Sequence, residues 1–412
     1  MADVIKSTEL YSEDVLFSQG IKAGEFAFVA QDARSSDGSL RAHADTRSQT
    51  CQTLENLGLA LKSAGLELEN LVTLTIFLTD YRDASSVAKV LETAFPHPDK
   101  SYPATTILGV MGLDGGCRVR IDAMTTSNPD RESIILHNVP LSAGARCHGV
   151  RVGELFFLSG IDAAGAQGRP PMPANIETQT VDVIDRIEAI LKSQKLQLKD
   201  VFRTFMFIPG TEHRPGYRES RRKRYQGIFS EDEFPANSGI YIKDLGESIL
   251  LKSVPIAYRG KDKTLVSSPN VWLAPGSFSQ AFRVGKWLFI SGQDAIREVE
   301  YSAKKGDVLS PNLRRSVSHE AEAIGDLAGQ TTVSLGHIKD IVEEAGGAMD
   351  DIVKTTAYLI AGQDRAIFAA AYQEFFKSHR KDKTMPAGLS VEVRELAPDC
   401  LVEIDAVAHL KS

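Results

Sequence analysis

The sequence predicts an α+β protein built from three consecutive copies of one β-β-α-β-α-β-β unit, and three recurrences carry that reading. A glycine lies between two apolar runs early in each third, at Gly24, Gly153 and Gly285, which is the pattern of a hairpin. A Gln-Thr pair (Gln49-Thr50, Gln179-Thr180, Gln330-Thr331) then opens a run of apolar residues at three- and four-residue spacing, as on one face of a helix. Finally a Pro-led loop feeds a strand: Tyr102-Pro103-Ala104-Thr105-Thr106, Phe234-Pro235-Ala236-Asn237-Ser238 and Met385-Pro386-Ala387-Gly388-Leu389. Self-similarity of this kind decides the architecture before any single element does.

The elements follow in the same order in each copy. The second run of each hairpin ends in a related tripeptide, Gln31-Asp32-Ala33, Ile161-Asp162-Ala163 and Gln293-Asp294-Ala295. The first helix is spaced by Leu54, Leu57 and Leu61, by Ile184, Ile187 and Leu191, and by Leu335, Ile338 and Val342. A β-rich segment comes next, at 71–78, 201–208 and 352–360, and a second helix at 85–95, 218–229 and 365–376. The last strand alternates, most clearly in Val402-Glu403-Ile404-Asp405-Ala406, with the two acids on the face opposite the apolar residues. Its counterparts are Val119-Arg120-Ile121-Asp122-Ala123 and Leu251-Lys252-Ser253-Val254. The expected units are 1–127, 131–258 and 265–412, joined by short polar linkers of the kind found between closely packed domains. The matched glutamines lie 130 and 151 residues apart and the matched glycines of the last two copies 132, so about 19 extra residues form a longer loop around 296–320 of the third copy. Loops of that length are often lids or binding loops.

With 42% hydrophobic and 25% charged residues the chain has the composition of an ordered globular protein. A net charge of −7 argues against general affinity for nucleic acid. No apolar run reaches membrane-spanning length, and the first residues lack the apolar core of a signal peptide. Four scattered cysteines fit a reducing cytoplasm, and neither they nor the nine histidines cluster as metal ligands do. The expectation is a cytoplasmic protein without metal or cofactor, whose partner is a small molecule.

Five segments, Phe278-Ser279-Gln280, Ile290-Ser291-Gly292-Gln293, Asp351-Ile352-Val353-Lys354-Thr355-Thr356, Tyr372-Gln373-Glu374-Phe375-Phe376 and Val391-Glu392-Val393, resemble the signatures of the RidA (YjgF/YER057c/UK114) family in that family's order. Members are small homotrimeric enamine/imine deaminases. The resemblance implies three chorismate-mutase-like domains packed as a pseudo-trimer within one chain, with a barrel-like sheet core, outer helices and sites in the clefts between neighbours; further self-association is left open. The family grips its substrate carboxylate with an Arg in the Pro-led loop, where this sequence has Thr105, Asn237 and Gly388. The family acid on the last strand matches Glu403, with Arg120 and Lys252 as its counterparts. The early aromatic hydroxyl becomes Phe17, Arg146 and Phe278, and the second-helix Asn becomes Ala88, Arg222 and Ala369.

The resemblance makes Glu403 the candidate general base, a carboxylate of raised pKa activating water, with Ser291 and Asp294 orienting substrate. Asp32 and Asp162 recur at the position of Asp294, where an Asp also serves as an ordinary turn cap. Arg120 and Lys252 are candidate anion binders, or simply solvated strand residues. Arg222, with Arg146 and His148, would make the middle copy's pocket basic, although a charge run such as 218–224 is usually a solvated helix face. Substrate contacts are expected from Arg120, Lys252, Arg222, Asn237, Thr105, Phe278, Asp32 and Asp162. The expected function is hydrolysis of an imine, enamine or amide-like C–N bond of a small polar metabolite at an inter-repeat cleft. The alternative is a non-catalytic small-molecule binder or scaffold that has lost the family's site.

Overall fold

The computed structural model describes residues 2–11, 16–40, 45–96, 102–165, 175–230, 233–272, 278–298 and 319–411. Each third forms one mostly antiparallel sheet with two helices. In the first, the hairpin Gly20–Ala23 and Phe26–Asp32 leads to α1 (Thr46–Ser63), strand Leu71–Leu78, α2 (Ala84–Ala94) and strands Ala104–Gly109 and Val119–Thr126. The second has Gly149–Val152, Leu155–Leu158 and the short Ile161–Asp162, then α3 (Ile176–Ser193), Val201–Ile208, α4 (Arg214–Tyr225), Ala236–Tyr241 and Lys252–Tyr258. The third has Ala281–Val284, Trp287–Asp294, α5 (Leu327–Glu344), Ile352–Ile360, α6 (Arg365–His379), Ala387–Val393 and Val402–His409. The strand after each second helix pairs parallel with the strand before it, so that helix is the crossover a parallel pair requires.

Each first helix starts at a side-chain cap, Asp45, Asn175 or Asp326, whose oxygen accepts from backbone N–H groups of the first turn. The recurring Gln sits one turn in and is fully buried. Its side-chain oxygen accepts from the backbone of Arg118, Leu250 or Leu401, at 2.8, 2.8 and 2.6 Å. That bond fixes the entry of the last strand, which carries Arg120, Lys252 or Glu403 two residues later. The Thr beside it donates to the carbonyl four residues back.

Three features depart from the sequence reading. The core is not a barrel: the strand orders describe three separate open sheets, each with two ends, which meet face to face through side chains and single backbone bridges. Each sheet also has a leading edge strand, Asp3–Ile5, Arg131–Ile134 or Lys263–Val266, too short to show an alternation and partly hidden in the expected linkers. And α4 begins four residues before its expected start because Pro215 in its first turn is compatible with helix. Most of the 296–320 loop lies outside the described residues; its ends, Ile296–Glu298 and His319–Ala321, pair as a two-stranded ribbon. No helix among the described residues is long and apolar enough to cross a membrane.

Both faces of each sheet are covered. One packs under its own helices, where Val402, Ile404 and Ala406 meet Leu335, Ile338 and Phe376. The other meets the sheets of the remaining repeats. Edge-to-face rings of Phe26, Phe157 and Trp287, one from each repeat, close one part of that interface. Phe77, Phe207 and Tyr358 belong to a second shared cluster. Between them lies an axial chamber that includes Asp122, Arg203, Lys354 and Asp405. Lys354 pairs with Asp122 of the first repeat. Arg203 of the second donates to Ser238 Oγ at 2.6 Å and to the Thr204 carbonyl at 2.7 Å, and lies 3.9 Å from Asp405 of the third.

Breaking a buried pair strands the surviving charge. Arg203→Ala is therefore expected to destabilise the fold by roughly 3–5 kcal/mol, read as a lowered urea midpoint. Arg203→Met/Asp405→Leu, which removes both charges, should recover most of that loss.

Candidate functional site between the second and third repeats

Each Pro-led loop joins one repeat to the next around the ring. Ser159 Oγ accepts from Thr105 N–H at 3.1 Å and donates to the Cys147 carbonyl at 2.8 Å. Ser291 Oγ accepts from Asn237 N–H at 2.8 Å and donates to the Ser279 carbonyl at 2.5 Å. At the third seam Ser18 donates through its hydroxyl to the Met385 carbonyl and through its N–H to the Pro386 carbonyl. Ser291 thus staples two repeats together. Its hydroxyl is fully buried and engaged on both sides, at a position where the sequence suggested a substrate contact.

At each seam the end of the hairpin strand lies opposite the last strand, and register brings the family positions together in pairs. The partners are Asp32 and Arg120, Asp162 and Lys252, and Asp294 and Glu403. Two seams therefore oppose acid to base, and one opposes acid to acid.

At the two mixed seams the opposed charges pair with each other, and beside Asp32, Arg34 and Arg120 a cleft of about 450 Å³, counting the solvent at its mouth, remains. Lys252 is fully buried and donates to the Ile107 carbonyl at 3.1 Å and Tyr81 Oη at 3.3 Å, with Asp162 at 3.2 Å. Those three acceptors match the three protons of an ammonium. Asp32 receives a forked contact from Arg34, the closest 2.6 Å. Although burial pushes its pKa upward, Arg34 and Arg120 hold it below the usual carboxylate value. Arg120 also lies 3.5 Å from Asp114. At this seam the loop position that carries the family's Arg is closed: a Cβ on Gly388 would lie 2.4 Å from the Thr355 carbonyl oxygen and 2.9 Å from the Phe17 ring. Arg120, Lys252, Asp32 and Asp162 are thus mutually neutralised, and Thr105 contributes a backbone bond.

The acidic seam is an open cleft enclosing about 610 Å³, counting the solvent at its mouth. The third repeat supplies Phe278, Gly292, Asp294, Ala397 and Glu403 to its wall, and the second supplies Asn237, Tyr241 and the inner face of α4. Gly292 follows Ser291 in a bulge of the hairpin strand. Its missing side chain is a requirement, because a Cβ there would overlap the Glu403 carboxylate at 1.8 Å. Glu403 is only 6% exposed. Burial, then the neighbouring Asp294 and Asp405, raise its pKa well above the ordinary value, against the opposing pull of Arg203 and a Gly239 backbone hydrogen bond. Burial likewise raises Asp294 to about 6. Two carboxyls side by side with little water cannot both ionise readily, so the pair retains a proton near neutrality.

Opposite the acids stand Arg214, Arg218 and Arg221. Burial, then the positive charges of Arg214 and Arg221, bring Arg218 down to about 10. The Arg221 guanidinium lies 5.5–6.0 Å from the ring centres of Tyr217, Phe234 and Tyr225. Arg222 does not join them. It is exposed and forks onto Glu219 at 2.9–3.2 Å, because the 3.6-residue period turns position 222 outward while 221 stays on the tyrosine face. Arg146 and His148 lie at the seam with the first repeat instead. The Arg146 guanidinium stands 5.0 Å from the centre of the Tyr102 ring. His148 is buried between Leu136 N–H and the Val139 carbonyl. The Tyr217–Arg221–Tyr225 spacing was the available sequence signal for the inward arginine. Arg214, four residues before Arg218, lay outside the expected helix.

Burial pushes the Cys117 and Cys147 thiols up to about 11 and Cys400 higher still, away from the thiolate a nucleophile needs. Among the described residues no three His, Cys, Asp or Glu side chains are grouped as a metal site would require.

The Endoribonuclease L-PSP family model matches residues 11–127, 137–256 and 270–410. The chain belongs to this family, the RidA/YjgF (RutC) proteins, as three tandem repeats. A RutC family protein of Pyrococcus horikoshii is 33% identical over 147 residues, 36% of this chain and 98% of that protein. The 2-iminobutanoate/2-iminopropanoate deaminase of Escherichia coli K12 is 33% identical over 143 residues, 35% of this chain and 94% of the enzyme. The whole chain shares its fold with a chorismatase crystal structure, with a TM-score of 0.54 at 14% identity over 94% of this chain and 100% of that one. As a RidA-family pseudo-trimer it keeps the inter-repeat seams but holds them with three different charge sets.

Raised carboxyl pKa values mean that the folded state binds more protons than the unfolded chain once pH exceeds the unfolded values near 4, so this pair costs stability progressively as pH rises through about 6 and above. Glu403→Gln is expected to raise the melting temperature by a few degrees at pH 8, and the gain should shrink toward zero by about pH 4, as scanning calorimetry across pH would read.

Proposed function

We propose that the cleft between the second and third repeats hydrolyses the C–N bond of a small imine or enamine, with Asp294 and Glu403 acting as one proton-sharing pair. The observation that carries this reading is the acid–acid pair itself: at the other two seams the same positions hold a base against an acid. A pair holding one proton supplies both an acid and a base at one place. The ionised carboxylate takes a proton from water as its oxygen attacks the imine carbon, while the protonated partner gives its proton to nitrogen. In the resulting carbinolamine the carboxylate just formed removes the hydroxyl proton and the other carboxyl protonates the leaving nitrogen. The C=O forms, the C–N bond breaks, and the amine departs with the pair restored. An enamine enters the same path after protonation at carbon. The pair, rather than Glu403 alone, is the working unit.

The relatives support the reaction class: the Escherichia coli enzyme is named for the deamination of 2-iminobutanoate and 2-iminopropanoate. Asn237, held by Thr204 at 2.9 Å, stands at the loop position where that family carries Arg, and Phe278 forms an apolar part of the wall.

Imines and enamines generated in situ, with amine or ammonia release as the readout, test the proposal. Glu403→Gln is expected to lower kcat about 100-fold or more with a much smaller change in KM. Asp294→Asn/Glu403→Gln should be no worse than the poorer single variant, as for groups that act as a unit. The wild-type rate should fall on the acid side of about pH 6 and again at alkaline pH, where the shared proton is lost. Full turnover of every accepted substrate by Glu403→Gln would sink the reading, and binding of these compounds without product would favour a non-catalytic binder.

A further inference from the structure

The axial chamber is built by the same two cross-strand pairs from each sheet. One tier is Thr73–Met124, Arg203–Ile256 and Lys354–Val407. The next is Thr75–Asp122, Phe205–Val254 and Thr356–Asp405. All of these line the chamber, which shares no wall residue with the clefts at the seams. Their strand neighbours on the outer face, Leu74 and Ile404 for example, are buried under the helices. Yet Thr73, Lys354 and Val407 of the first tier and Thr75, Phe205 and Val254 of the second are only half-buried. The surface they leave uncovered faces a space of about 870 Å³, counting the solvent at its mouth, which is within the range of small-molecule sites.

The charges in this space are already matched. Both cations, Arg203 and Lys354, stand in the first tier and both anions, Asp122 and Asp405, in the second. They pair across repeat boundaries, Lys354 with Asp122 and Arg203 with Asp405. An ionic guest competes with those pairs and surrenders its own hydration, whereas a neutral one leaves them in place. The rest of the wall is largely rings. Phe28, Phe157 and Phe289 come from the three hairpin strands, and Phe77, Phe207 and Tyr358 follow the second tier on the central strands. Rings on three sides present edges and faces to a flat guest, and a space walled mostly by apolar groups holds water poorly. Thr73 stands where the other repeats carry Arg203 and Lys354, so the polar group of that position in the first repeat is a hydroxyl outside the ion pairs.

We infer that the axial chamber is a second binding site, separate from the acidic cleft, for a neutral, flat aromatic molecule bearing one hydroxyl. Its ring lies among the phenylalanines, and its hydroxyl meets Thr73 or Thr75, whose side chains both donate and accept. All three repeats contribute to the wall, so the site belongs to the assembled ring of sheets.

Isothermal titration of the full chain at pH 7 with p-cresol tests the site without any turnover. 4-Methylbenzoate and 4-methylbenzylamine supply the charged counterparts, toluene the ring without its hydroxyl, and 4-methylcyclohexanol the hydroxyl without its aromatic ring. p-Cresol is expected to bind at least about tenfold tighter than either ion, since an ion must leave water beside pairs already made. Toluene should be weaker than p-cresol by about two- to tenfold, the effect of one hydrogen bond. Thr73→Val/Thr75→Val, which keeps the shape of both side chains, should bring p-cresol down to the level of toluene. Thr75→Phe, which copies the ring of Phe205 into the first repeat, and Val254→Phe each fill the chamber and should abolish binding, while Glu403→Gln in the acidic cleft leaves it unchanged. Melting curves establish which filled variants are folded, and the valine pair carries the test if neither is. No saturable binding of p-cresol, equal affinity for the ions, or binding that survives in a folded filled variant or is indifferent to the valine pair would overturn the inference. Equal affinity for 4-methylcyclohexanol would overturn the assignment of the guest as aromatic.

Discussion

The constraint on which the rest depends is that each sheet has two faces to cover and only one set of helices. An antiparallel sheet commonly leaves one face to water. Here the inner face is buried against two other sheets, so its charged residues cannot be treated as surface decoration. A carboxylate on that face must find a cation, a hydrogen bond or a proton. Asp405 finds Arg203, Asp122 finds Lys354 and Asp162 finds Lys252. Glu403 finds Asp294, and the proton is what remains.

Covalent tandem repetition allows this difference. In a symmetric trimer of identical chains, a substitution at one seam appears at all three. A buried acid pair would then be imposed three times, each raising the pKa values of its members and lowering stability near neutral pH. In one chain the penalty is confined to a single seam. The closed contacts of Lys252 and the Arg34–Asp32 fork reinforce the other two. Gly388 and Gly292 mark the same divergence in backbone terms. The first occupies ground that a side chain cannot share with Phe17, and the second leaves room for a carboxylate.

The fold was legible to the extent that local periodicity encodes it. The hairpins, both helices of each repeat and the alternating last strand follow from spacing of two and 3.6. The recurring Gln-Thr was visible as a signal, but its use was not, since the bond from Gln330 to Leu401 crosses 71 residues. The edge strands were missed because three or four residues carry no period. The family's trimer also suggested closure into a barrel, which depends on long-range strand pairing that no local pattern specifies. At the site, Asp294 and Glu403 were each legible as candidates, but not as neighbours, because their pairing is a matter of register across a bulge. Arg222 was chosen by family position over Arg221, although the tyrosines at 217 and 225 marked the inward face. For Ser291 no local pattern shows that both sides of its hydroxyl are engaged between two repeats.

The separation of charge across the cleft is what connects fold to chemistry. Acids and arginines on the same repeat would collapse into ion pairs, as Asp32 and Arg34 do within three residues of chain. Here the acids are fixed by the register of two strands of the third repeat, and the arginines by a helix of the second, which packs on its own sheet through Tyr217 and Tyr225. The strand pairing and the helix packing each hold their charges in place, and the seam between them is pinned at the Ser291–Asn237 bond. The two walls face each other across one cleft, and the Arg214 charge opposes the rise that burial gives the Asp294 pKa. An unfused sheet with its two helices contains only one wall of this arrangement, so the site is a property of the seam and not of either repeat.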